Sequence, residues 1–127
     1  MKALIIALVI VFALVLSIMP LSAYAARKGL ASPEKSWAEP AVYFAARTRM
    51  RLSSFVQAAA ILESAVKTWP RSERIDEAYY WIAFCYERSE ANVQAIAWYK
   101  AFLQAYPHHE WAAQARHRLD TLEAGAL

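Results

Sequence analysis

Residues 76–109, DEAYYWIAFCYERSEANVQAIAWYKAFLQAYPHH, decide the fold. Ile75, Tyr79, Ile82 and Tyr86 are spaced by four, three and four residues, and so are Ala95, Tyr99, Phe102 and Tyr106. That spacing puts each set on one face of an α-helix. Ser89 to Asn92 is short and polar, a turn between the two helices. Pro107 lacks a backbone N–H and disfavours helix in the residue before it, so the second helix is expected to end near Tyr106.

Upstream lies a weaker copy. A shift of 37 residues aligns Ala41 with Ala78, Tyr43 with Tyr80, Ala46 with Ala83, Ala58 with Ala95, Trp69 with Tyr106 and Pro70 with Pro107. The spacing predicts helices over 41–51 and 55–69, with Pro40 in the first turn and Ser53–Ser54 between them. Leu62 replaces the large aromatic, Ala65 stands in place of Phe102 and Arg49 in place of Tyr86. This copy is therefore expected to pack less well. Downstream, residues 110–124 begin a third copy. Ala112, Ala115, Leu119 and Leu122 form one apolar stripe, with Arg116, His117, Asp120 and Glu123 largely off it. A repeat array needs such a helix to cover its last apolar face, and Gly125 ends it.

The pattern resembles the tetratricopeptide repeat, a helix–turn–helix unit of 34 residues. Ala83, Tyr86, Ala95, Tyr99, Phe102 and Pro107 fill the family's small, aromatic and proline places. The joins WPRSERIDEAYYW and YPHHEWAAQARHRL resemble the repeats of cell-envelope proteins. These include the lipoprotein of the outer-membrane β-barrel assembly machinery and the periplasmic coordinator of the Tol-Pal system. Ser72 fits that form and His109 departs from it. The resemblance implies an all-α fold: two tetratricopeptide-like repeats and a C-terminal capping helix over 40–124, behind an N-terminal hydrophobic export segment. It implies a scaffold without enzymatic activity, because such repeats bind other proteins.

The N-terminus is Lys2, then ALIIALVIVFALVLSIM from Ala3 to Met19, then Pro20 and Ser22–Ala23–Tyr24–Ala25. A basic start, an apolar core and Ala-x-Ala are the parts of a secretory signal peptide. Residues 1–25 are thus expected to leave by cleavage after Ala25, giving a periplasmic chain. The uncharged run is also long enough to span a bilayer. The alternative is an inner-membrane, single-span anchored structural subunit of a complex. Arg27 and Lys28 count against translocation in either case. No cysteine lies near this segment for lipid attachment. Residues 26–39 mix charge, Gly, Pro and Ser without period and read as a linker.

The 127 residues carry a net charge of +3, too mild a surplus for a nucleic-acid reading. The single cysteine, Cys85, excludes an internal disulfide. It reads as a small buried apolar residue, with an intermolecular disulfide as the sharper reading. His108, His109 and His117 do not make a metal set, and no cofactor is expected. Ser, His and Asp occur without an elbow motif or glycine-rich loop around them.

In the family the first helices line the inner surface. One turn apart on the outward positions lie Tyr43, Arg47, Met50 and Arg51 in the first copy, and Glu77, Tyr80, Phe84, Glu87 and Arg88 in the second. Aromatics with arginines suit an extended peptide or a partner helix. The family's peptide-carboxylate clamp of asparagine and lysine is missing, since Arg47 and Phe84 occupy the asparagine places. Arg47, Arg49 and Arg51 alternate and read as a solvated basic surface, or as a contact with anionic headgroups if the N-terminus stays in a membrane. The N-terminal end of the array, with Val42, Tyr43 and Phe44, is expected to lie uncovered. It would then meet a partner protein or a second copy of the chain, unless the linker around Trp37 folds back over it.

Overall fold

The computed structural model describes residues 1–126, which form six helices. They are α1 (Lys2–Ala31), α2 (Ala38–Arg51), α3 (Phe55–Thr68), α4 (Ile75–Arg88), α5 (Asn92–Ala105) and α6 (Ala112–Gly125). α2 to α6 are each 14 residues long. The starts of α2, α4 and α6 fall 37 residues apart, as do those of α3 and α5. The fold is thus two helical hairpins of the tetratricopeptide type and a capping helix. α2 begins three residues before the expected start, with Pro40 still in its first turn, where no intrahelical N–H bond is lost.

Each hairpin turns by the same device. Ser53 (φ 58) and Glu90 (φ 61) adopt the left-handed conformation two residues past the ends of their helices. The next N–H, of Ser54 or Ala91, donates back to the carbonyl of Arg49 (2.8 Å) or Tyr86 (2.9 Å). This pattern satisfies carbonyls that the helix end leaves free.

Two apolar clusters hold the stack together. Val42, Ala46, Ala58, Leu62, Ala78, Ile82 and Cys85 join the two hairpins. Tyr80, Ala83, Ala95, Tyr99, Phe102, Ala115 and Leu119 join the second hairpin to α6. Ala83 and Ala95 have no exposed surface, and neither do Tyr99 and Phe102, which pack beside them. A small residue lets the helices approach; the large aromatics then fill the space at either side. In the weaker copy Leu62 and Ala65 contribute less volume, and Met50, Phe55 and Trp69 pack against that cluster.

The N-terminal side differs from the sequence reading. α1 runs through Pro20 and on to Ala31, so residues 26–31 are helix rather than linker. Ser22, Ala26 and Gly29 are its buried residues. A Cβ on Gly29 would lie 2.6 Å from Val42 Cγ2 and 2.9 Å from the Ala38 carbonyl oxygen, so only glycine permits this approach of α1 to α2. Arg49 Nε donates to Ser22 Oγ at 2.9 Å, and its Nη2 donates to the Met19 carbonyl at 2.8 Å. Arg49 is therefore neither a packing defect nor a solvated charge: it ties α2 to α1. Val42 is fully buried and Tyr43 nearly so, which corrects the expectation of an open N-terminal end. α1 covers Val42, Arg74 lies over the Tyr43 ring, and Trp37 stays 45% exposed. Phe44, at 69% exposure, is the one of the three that faces out.

Candidate interaction groove

The first helices of the hairpins, α2 and α4, and the entry to α6 border a groove of ≈ 480 Å³. α2 contributes Tyr43, Arg47, Met50 and Arg51, spaced so that one helical face carries all four. α4 contributes Glu77, Ala78, Trp81, Phe84 and Arg88 on one face, with Arg74 at its N-terminal cap. Phe55 and Leu62 come from α3 and Trp111 from the residue before α6.

The apolar part is aromatic and rigid. Phe84 meets Phe55 edge-on at 6.2 Å between centroids and Trp81 at 5.6 Å, and Trp81 meets Trp111 at 5.7 Å. The charged part is basic: Arg47, Arg51, Arg74 and Arg88 stand against one carboxylate, Glu77. Among the described residues no carboxylate forms an ion pair with any of these four arginines. Two of them lie instead over rings, Arg74 over Tyr43 at 5.5 Å and Arg88 over Phe55 at 5.4 Å. Stacked in this way, a guanidinium keeps its donors directed outward for an acidic group.

Of the residues expected at a partner surface, Tyr43, Arg47, Met50, Arg51, Glu77, Phe84 and Arg88 border the groove. Tyr80, Glu87 and Phe44 lie elsewhere. Tyr80 is buried among Trp81, Tyr99, Phe102 and Trp111, and burial raises its phenol pKa. Glu87 accepts from Tyr99 Oη at 2.6 Å and from Arg118 Nη1 at 2.9 Å, which fixes it at the junction of α4, α5 and α6. Phe44 points off the outer side of α2. Sequence reasoning missed Phe55, Arg74, Trp81 and Trp111. Trp81 carried a signal: Glu77, Trp81, Phe84 and Arg88 are spaced four, three and four. Choosing Tyr80 instead rotated the face by one residue, about 100°. Arg118, also missed, reaches from α6 over Phe84 at 5.2 Å.

The remaining reactive groups are occupied. Cys85 has no exposed surface, and burial pushes its thiol up to about 12, away from the thiolate a disulfide exchange needs. That placement removes the intermolecular-disulfide reading. His109 Nε2 faces Asp76 Oδ2 at 3.2 Å, and its Nδ1 accepts from the Trp111 N–H at 3.0 Å. Among the described residues no three of His, Cys, Asp or Glu converge on a point.

Residues 36–121 match the family YfiO, described as outer membrane lipoprotein. The match spans both hairpins and enters α6. No curated protein matches the sequence significantly. In one respect the chain departs from the family's description: its single cysteine is Cys85, inside α4. The N-terminal segment thus offers no thiol for a lipid.

Proposed function

The chain belongs to the YfiO family of outer membrane lipoproteins, and from that premise we propose that it is a non-enzymatic scaffold of the cell envelope whose groove takes a partner protein. The ligand is an extended segment carrying both acidic and aromatic side chains. One observation carries this reading: four arginines with no carboxylate partner among the described residues ring an aromatic floor in a single ≈ 480 Å³ groove. Aromatic rings supply contact area at small entropic cost, and arginines supply charge-assisted hydrogen bonds. The groove's lining is mainly aromatic and basic, with Glu77 its one carboxylate, which suits non-covalent binding.

Calorimetric titration tests the reading. The titrants are a ten-residue peptide bearing two Glu and two Phe and the same peptide with Lys for Glu. The acidic peptide is expected to bind, and Arg88→Glu and Phe84→Ala each to weaken it at least tenfold. Equal binding of both peptides, or no effect of either substitution, contradicts the reading. Self-association through the same groove would appear as a concentration-dependent loss of peptide binding.

A further inference from the structure

The 37-residue register continues one step upstream of the two hairpins. α3 ends at Thr68 and α5 at Ala105, and α1 ends at Ala31, the same interval before α3. The residues that follow have almost the same backbone: Ser32 (φ −133, ψ 60), Trp69 (φ −124, ψ 69) and Tyr106 (φ −131, ψ 59). A proline follows each, Pro33, Pro70 and Pro107. The turn hydrogen bonds repeat as well. The N–H groups of Lys35, Ser72 and His109 donate to the carbonyls of Ser32, Trp69 and Tyr106 at 3.1, 3.1 and 3.2 Å. Residues 18–31 therefore hold the place of the second helix of a preceding repeat. Its links forward match too. Tyr86 on α4 reaches back to Glu63 on α3; Arg49, at the equivalent position of α2, reaches back to Ser22 and Met19 on α1.

Unlike α3 and α5, this helix does not begin at the hairpin turn. It runs on toward Lys2 as one rod. Large apolar residues from Leu4 to Leu21 are exposed around it. A helix apolar on all sides needs an apolar solvent. Those 18 residues rise about 27 Å, close to the ~30 Å of a bilayer's hydrocarbon core. Directly after them Tyr24 is half-exposed, with the Lys28 ammonium 5.7 Å from its ring centroid. An aromatic with a basic side chain is the pairing found at headgroup level. A lipid bilayer is the occupant whose thickness and polarity match this surface.

We propose that α1 is retained: its apolar part crosses the membrane, and residues 22–31, continuous with it, are the N-terminal cap of the repeat stack. The repeats are then held to the membrane surface by packing, where a lipid-bearing cysteine is missing. Cleavage after Ala25 would cut this helix within its docked part. It would leave six residues, Ala26 to Ala31, too few to stay helical alone, and would remove both acceptors of Arg49. The inference does not depend on what the groove takes.

The test uses the full chain, expressed in a bacterium with an intact envelope and recovered from its membranes. Intact mass is expected to show the 14.4 kDa chain, resistant to alkaline carbonate extraction. Hydrogen exchange in the membrane-bound protein is expected to protect the amides of 22–31 as well as those of α3. A chain beginning at Ala26 overturns the proposal, and so does a full-length chain that carbonate releases. Free exchange over 22–31 overturns the docking. Gly29→Leu should speed exchange over 22–31 and α2 while the chain stays carbonate-resistant; unchanged exchange in that variant counts equally against the docking.

Discussion

Glu90 and Ser53 occupy left-handed backbone where a Cβ crowds the chain, at a cost of roughly 1–2 kcal/mol for a residue other than glycine. Glycine's greater unfolded freedom offsets part of any gain. Glu90→Gly is therefore expected to stabilise the protein by about 0.5–1 kcal/mol, read as a raised denaturant midpoint at unchanged slope. A lowered midpoint would mean that the Glu90 side chain contributes more than its backbone costs. Tyr86 gives a pH signature. Burial, and then its hydrogen bond to Glu63, hold the phenol neutral to about 12, against 10.0 for the free group. The unfolded chain ionises first, so this stabilisation is complete below pH 10 and is lost as pH rises from 10 through about 12. The melting temperature should fall across that window, and Tyr86→Phe should make the fall shallower. A residual slope is expected from Tyr99, whose phenol is raised by burial and then by its hydrogen bond to Glu87.

At the scale of helices, the account rests on close crossings at small residues. Ala83 and Ala95 are fully buried between α4, α5 and α6. Ala83→Leu and Ala95→Leu are each expected to destabilise by ~1–3 kcal/mol through overpacking, a drop of several degrees in melting temperature for a domain of this size. Melts within a degree or two of the parent would misplace the crossing. These positions were legible in the sequence because helical spacing, alanine at the crossings and proline at the stops all agree in residues 76–109. The linker reading failed for a physical reason. Ser22, Ala26 and Gly29 are small or polar and carry no apolar stripe, yet smallness is what docks α1 against Val42. The groove was legible in part. Arg47, Met50, Phe84 and Arg88 follow from helical phase, whereas Arg74 and Trp111 sit at helix starts whose direction only the turn geometry fixes. Tyr80 and Trp81 are neighbours of similar bulk, and hydrophobicity alone does not say which one turns inward.

Across the whole molecule, two aromatic surfaces compete for the role of partner site: the groove, through Phe84, and the outer side of α2, through Phe44. Phe44 is the more exposed, but it stands outside the ring of arginines on which the proposed preference for acidic segments rests. Rising salt should therefore weaken partner binding, since the contributing arginines are solvent-accessible and screened. Binding unchanged between 50 and about 500 mM salt, where screening shortens to a few ångströms, would point to a purely apolar contact. The most direct measurement places a photo-crosslinking amino acid at Phe84 in one chain and at Phe44 in another, within living cells. The account predicts a discrete protein adduct at Phe84, abolished by Arg88→Glu and competed by the acidic aromatic peptide in isolated envelopes, with none at Phe44. An adduct at Phe44 and none at Phe84 would contradict it.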